Sequence, residues 1–129
     1  MAMAGCESAN QVKWEPFSQE KIGEAAQSGK PVVAYFYAAW CSSCYRLREK
    51  TFSNPQVVQV LDRYVRLKAD LSYRSSEKTI EVSRLYQIQG VPTVILFDAQ
   101  GNQAGRFSGF IPPDQFLKFL KRINEPSQA

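Results

Sequence analysis

Val32-Val33-Ala34-Tyr35-Phe36-Tyr37 is an apolar, β-favouring run with no alternation between polar and apolar positions. That is the pattern of a strand covered on both faces, so it belongs inside a sheet. Lys30-Pro31 delivers the chain into it. Ala38-Ala39-Trp40-Cys41 leads out of it over a short connection into helix-favouring residues: Tyr45, Leu47, Arg48, Glu49 and Lys50. A buried strand joined so tightly to a helix opens an α/β arrangement.

The rest of the chain can be read around this unit. Ser18 is placed to cap a helix running to about Ser28, with Glu20 near its positive end and Gly29 as its stop. The helix after Cys41 is predicted to reach about Phe52. Ser53 or Asn54 then caps a second helical piece with Pro55 in its first turn. Residues Tyr64 to Leu71 alternate and predict a strand. Ser75 or Ser76 begins a helix through Tyr86, with Ile80, Leu85 and Ile88 as its apolar positions. Gly90-Val91-Pro92-Thr93 breaks the pattern before the short strand Val94 to Phe97. A turn at Asp98 to Asn102 leads into a returning strand, Gln103 to Ser108. Pro112-Pro113-Asp114 opens a last helix with an apolar stripe of Phe116, Leu117, Phe119, Leu120 and Ile123. Alternating strands and helices early on argue for parallel pairing, and the late hairpin adds antiparallel strands, so the sheet is expected to be mixed. Residues 14–124 are read as one domain. Residues 1–13 are read as a flexible tail or an introduced start, and 125–129 as a C-terminal tail.

Several function classes are excluded at this level. The chain has no histidine, which removes Cys–His and Ser–His nucleophilic catalysis and every His-based metal site. The net charge of +4 is spread among alternating acids and bases, as in Arg46-Leu47-Arg48-Glu49-Lys50, and is not gathered into a nucleic-acid-binding stripe. It reads first as a solvated surface with a basic bias, and only secondarily as one that favours acidic partners or anionic lipid surfaces. No apolar run approaches the roughly 20 residues that span a bilayer. Neither a Gly-rich phosphate loop nor a dinucleotide fingerprint is present, so no cofactor is expected and electrons would have to come from another protein.

Cys41-Ser42-Ser43-Cys44 carries the chemistry. A C-x-x-C at a strand-to-helix junction reads as a redox pair. The spacing of three on a first helical turn lets the two sulfurs bond. The positive end of a helix stabilises a thiolate, and that end is also open to a partner disulfide. Cys41 meets both conditions and is the expected nucleophile. Cys44, one turn inward, is the expected resolving thiol. A zinc site would need two more ligands where only Cys6 remains. A structural disulfide across so short a loop stabilises little.

Trp40-Cys41-Ser42-Ser43-Cys44, followed about fifty residues on by Gly90-Val91-Pro92-Thr93, resembles the thioredoxin superfamily. Lys30-Pro31-Val32-Val33, Tyr37-Ala38-Ala39-Trp40-Cys41, Thr51-Phe52-Ser53-Asn54-Pro55-Gln56-Val57 and Phe107-Ser108-Gly109-Phe110 extend the likeness, in order and spacing, to the C-terminal domain of the DsbD family of thiol:disulfide interchange proteins, over about Trp14 to Leu120. The resemblance implies a thioredoxin fold, a central mixed sheet flanked by helices, with the active site at one end. It implies that Pro92 is cis and lies against the disulfide, that the Val91 backbone pairs with an extended partner segment, and that Trp40 and Thr93 complete the substrate-binding surface.

The same resemblance implies a protein-disulfide reductase cycling Cys41 and Cys44 between dithiol and disulfide. Electrons would come from an upstream protein thiol donor and pass to protein disulfide substrates, in a periplasmic or otherwise exported setting. A disulfide oxidase or isomerase, or a non-catalytic binding module on the same fold, are the alternatives. A monomer is expected, with a membrane tether upstream. Cys6, in Met3-Ala4-Gly5-Cys6, is faintly similar to the lipidated cysteine that ends a lipoprotein signal, and is otherwise a free thiol.

One departure stands out. The family usually places a buried Asp six residues before the first cysteine, and acids two before the first and four after the second. Here those positions hold Tyr35, Ala39 and Arg48. Carboxylates beside a thiol disfavour its thiolate, so their absence favours it. It also leaves Cys44 to lose its proton to water or another group. Tyr35 is read by default as a core aromatic.

Overall fold

The computed structural model describes residues 11–124; Cys6 and the reading attached to it lie outside these. Strand β1 is Glu15–Pro16, followed by helix α1 (Gln19–Gln27) and strand β2 (Val32–Tyr37). Helix α2 (Ser42–Arg46) runs directly into a π-helical turn at Leu47–Thr51 and then α3 (Pro55–Leu61). Strand β3 (Val65–Asp70), helix α4 (Glu77–Tyr86), the hairpin β4 (Thr93–Phe97) and β5 (Gln103–Ser108), and helix α5 (Pro113–Asn124) complete the chain.

The sheet order is β1-β3-β2-β4-β5. β1 and β2 each pair parallel with β3, whereas β4 runs antiparallel to both β2 and β5. The sheet is therefore mixed, and β2 lies at its centre. Its residues alternate between two cores. Val33 and Tyr35 face one cluster with Leu47, Phe52, Val57, Leu61, Phe116 and Leu120. Val32, Ala34 and Phe36 face the other, with Ile22, Ala25, Leu67 and Tyr86. Helices on both faces are what a strand without polar alternation requires.

Local signals account for most element ends. Ser18 accepts from the Lys21 N–H and caps α1, and Gly29 follows that helix at φ +72°. Asn54 caps α3 by accepting from the Gln56 and Val57 N–H groups, and Ser76 caps α4 by accepting from the Thr79 N–H. The Asp98 carboxylate accepts from the Gln100 and Asn102 N–H groups and shapes the hairpin turn, with Gly101 at φ +88°.

Three features differ from the sequence reading. Glu15–Pro16 adds an edge strand to β3, where a two-residue element leaves no periodic signal. Val12 also packs on the first core cluster. The helix after Cys41 is not continuous α-helix: Phe52 N–H donates to Leu47 O across five residues. The extra residue brings Thr51 and Phe52 inward together with Leu47, and the Thr51 hydroxyl donates to Ile111 O at 2.6 Å. Finally, Ile80 and Leu85 in α4 lie exposed, and that helix buries Thr79 and Tyr86 instead. Among the described residues, no helix is long and apolar enough to cross a membrane.

Candidate functional site

The carboxyl end of β2 delivers the chain through Ala38 and Ala39 to the start of α2. Cys41 is the N-cap residue of that helix, with φ −100° and ψ 115°, and its Sγ accepts from the Cys44 N–H at 3.1 Å. A thiolate at this atom would receive the same N–H more strongly. The Cys41 thiol also donates to Val91 O at 3.4 Å. Both cysteines are free thiols; Cys41 is partly exposed and Cys44 only 3% exposed. Burial, followed by the hydrogen bond with Cys41, pushes the Cys44 thiol from 9.0 up to about 12.

Beneath the pair lies Tyr35. Its hydroxyl donates to Cys44 O at 3.3 Å, and its ring packs with Trp14, Tyr37 and Phe52 at centroid distances of 5.3, 5.2 and 5.0 Å. Burial, and then the nearby Cys44 and Cys41, push its phenol well above the ordinary tyrosine range. Tyr35 is thus the core aromatic that the sequence suggested, and it bridges the core to the cysteine helix.

Trp40 is 53% exposed, which excludes an ordinary core role. Its indole N–H donates to Ser72 O at 2.8 Å, and the Ala39 N–H donates to Ser72 Oγ at 2.8 Å. Ser72 is held in turn by Asp70, which accepts from both its N–H and its hydroxyl. The loop after β3 therefore braces the loop that carries Cys41. Sequence reading missed Asp70 and Ser72. Their signal was positional, because they follow the carboxyl end of a parallel strand beside β2, where sites gather in α/β folds.

The Val91–Pro92 peptide bond is cis. Val91 is partly exposed, and Pro92 and Thr93 are buried. The Thr93 hydroxyl donates to Gly90 O at 2.7 Å and shares a hydrogen bond with the Ser108 hydroxyl at 3.1 Å. Gly109 N–H donates to Pro92 O at 2.9 Å. Thr93 therefore braces this loop from within, while Val91 reaches the sulfur.

A cleft of about 270 Å³ opens beside the cysteines, and Cys41, Cys44, Tyr35, Tyr45, Arg48 and Lys68 are among its lining residues. Among the described residues, no carboxylate lines it. Among the described residues, no group of three or more His, Cys, Asp or Glu side chains is placed to hold a metal ion.

A partly exposed thiol at a helix start, a buried thiol one turn inward and an X-Pro loop against the first sulfur form one constellation, and comparison with known proteins agrees with it. Residues 18–124 match the family described as the thioredoxin-like domain. The chain belongs to that family. Among curated proteins it is 37% identical over 108 residues to the thiol:disulfide interchange protein DsbD of Vibrio vulnificus, a match covering 82% of this chain and 18% of the relative. It therefore spans less than a fifth of that relative's length. Among solved structures of the thioredoxin fold, a thioredoxin from Thermus thermophilus superposes with a TM-score of 0.73 at 27% identity, covering 92% of each chain. The oxidised C-terminal domain of Neisseria meningitidis DsbD superposes at 0.68 with 23% identity, covering 95% of this chain and 96% of the other.

Proposed function

We propose that residues 14–124 form a thiol–disulfide oxidoreductase domain that reduces protein disulfides. The observation that carries this reading is the asymmetry of the pair: the Sγ of Cys41 is reachable and receives a backbone N–H, while Cys44 is buried, which pushes its thiol up. Cys41 thiolate attacks one sulfur of a partner disulfide, forms a mixed disulfide and releases the other partner sulfur as a thiolate, which takes up a proton. Cys44 then gives up its proton and attacks Cys41 Sγ. The Cys41–Cys44 bond forms, the mixed disulfide breaks and the second partner thiol leaves. Two electrons pass from the dithiol to the partner. Trp40 and Val91 frame the sulfur and serve the incoming segment, with the Val91 backbone as its pairing edge and Pro92 and Thr93 holding that edge in place.

An upstream protein thiol donor restores the dithiol, since a dithiol consumed in each cycle needs one. The likeness to the DsbD of Vibrio vulnificus supports an exported setting with a membrane tether upstream of this domain, and in this reading the domain acts as a monomer. Insulin reduction tests the activity: Cys41→Ser should give no rate above the dithiothreitol background, and retained turnover would contradict the assigned role.

A second reading, a disulfide oxidase, is favoured by the cleft itself, which among the described residues is lined by Arg48 and Lys68 and by no carboxylate. Stabilising the thiolate stabilises the reduced form and makes a better oxidant. Equilibration in glutathione buffers separates the two. A potential near the roughly −270 mV of thioredoxin supports the reductant, and one near the roughly −120 mV of DsbA supports the oxidant.

A further inference from the structure

Three arginines in the segments around Cys41 each lie over an aromatic ring. Arg74 lies 4.5 Å from the ring centre of Trp40, the residue before Cys41. Arg48 lies 5.1 Å from that of Tyr45, which lines the cleft with both cysteines. Arg46 lies 4.3 Å from that of Phe110, the residue after Gly109, whose N–H donates to Pro92 O. Arg74 thus comes from the loop after β3, and Arg46 and Arg48 from the cysteine helix and the π-turn that continues it, with Arg46 reaching the ring beside the Pro92 loop. All three are exposed. Among the described residues, Arg46 and Arg74 make no ion pair, and Arg48 pairs only with its neighbour Glu49, at 3.1 Å.

Stacking on a ring holds a guanidinium in place without neutralising it, and its N–H edge stays free for a carboxylate. Surface arginines placed for solubility are usually interspersed with acids. Here Glu49 is paired with Arg48, and the Asp70 carboxylate, which keeps its charge, is turned onto the Ser72 N–H and hydroxyl.

We infer that this rim selects its partner. The segment that docks at Cys41 carries carboxylates on both sides of its reactive cysteine, and Arg46 and Arg74 receive them. This rests on the exchange reading above and adds the class of substrate to it. Electrostatic complementarity of this kind acts mainly on the rate of encounter and fades with ionic strength.

The test uses two short peptides that differ only in carrying Asp or Lys on both sides of a cysteine held as a mixed disulfide with mercaptoethanol. Their reduction by the protein is followed at low and high salt. Each rate is divided by that of dithiothreitol with the same peptide, which removes the peptide's own reactivity. The acidic peptide should react roughly tenfold faster than the basic one at low salt. That preference should collapse toward unity as the screening length shrinks from about 30 Å at 0.01 M to about 3 Å at 1 M. Arg46→Gln and Arg74→Gln should each reduce it severalfold. Arg63→Gln, in the turn before the opposite end of β3, should leave it in place.

Equal rates for the two peptides, or a preference that survives both substitutions, overturn the selection while leaving the exchange chemistry standing. If neither peptide reacts faster than with Cys41→Ser protein, the exchange reading itself fails.

Discussion

Replacing Cys41 by Ser separates the two causes that keep Cys44 protonated. Burial is the larger: Cys44 is 3% exposed, on the first turn of α2 beside Tyr35. Cys41 adds its hydrogen bond and the charge of its thiolate. Together they carry the Cys44 thiol from 9.0 to about 12. At neutral pH that lowers its thiolate fraction from about 10⁻² to about 10⁻⁵, so its reactivity falls about a thousandfold before access is considered. Serine keeps the N-cap acceptor but carries no thiolate charge. In Cys41→Ser the Cys44 value should therefore fall from about 12 but stay above 9.0, because burial remains. In the proposed cycle the same relief arises: with Cys41 held in the mixed disulfide, its thiolate charge is gone at the step assigned to Cys44. The assay, run with Cys6 also replaced by Ser so that Cys44 is the one thiol left, is ultraviolet titration of its thiolate, with iodoacetamide labelling at neutral pH read by mass. Labelling should be far slower than that of a free cysteine. A Cys44 that titrates at or below 9.0 in this variant refutes burial as the main cause, and with it the account of why the resolving thiol stays silent between encounters.

Other consequences can be checked alongside. Ser72→Ala removes the acceptor of the Ala39 N–H at an exposed site. It should cost under about 1 kcal/mol of stability yet slow peptide reduction severalfold, because the loop carrying Cys41 loses its side-chain brace at Ala39 while Trp40 keeps its bond to the Ser72 backbone; an unchanged rate with an unchanged Tm argues against the brace. Phe116 is fully buried against Phe52 and Phe107, so Phe116→Ala should cost about 3–5 kcal/mol in urea unfolding, and a loss under about 1 kcal/mol would contradict its place in the core. Cys44 and Tyr35 hold their protons more tightly folded than unfolded. Their stabilisation is complete below about pH 9 and is lost as pH rises through the folded values. The urea midpoint of the reduced protein should therefore fall between about pH 9 and pH 11, and a flat profile contradicts the shifts.

The central strand and the redox pair were legible because both are written in consecutive residues. Val32 to Tyr37 shows its two-sided burial directly, and C-x-x-C needs only a helical turn to bring its sulfurs together. Caps were legible for the same reason: Ser18, Asn54 and Ser76 act on N–H groups two or three residues away. The π-turn at Leu47–Thr51 was not legible, because it answers to Ile111, sixty residues on. Nor was the outward placement of Ile80 and Leu85. An apolar residue is compatible with a core but does not require one, and α4 instead turns Tyr86 toward Phe17, Phe36 and Phe97.

From its sequence alone this chain determined a buried central strand, a mixed sheet and a pair of thiols at a helix start, since each depends on short-range periodicity or spacing. Only the tertiary structure decided what stands around those thiols. Val91 arrives from fifty residues away to meet the sulfur, Ser72 comes from the end of the neighbouring strand to hold Trp40, and Arg46 and Arg74, from the cysteine helix and the loop after β3, stack on rings beside the pair. These neighbours are set by how the sheet orders its strands, and strand order is a property of the whole packed core rather than of any local stretch.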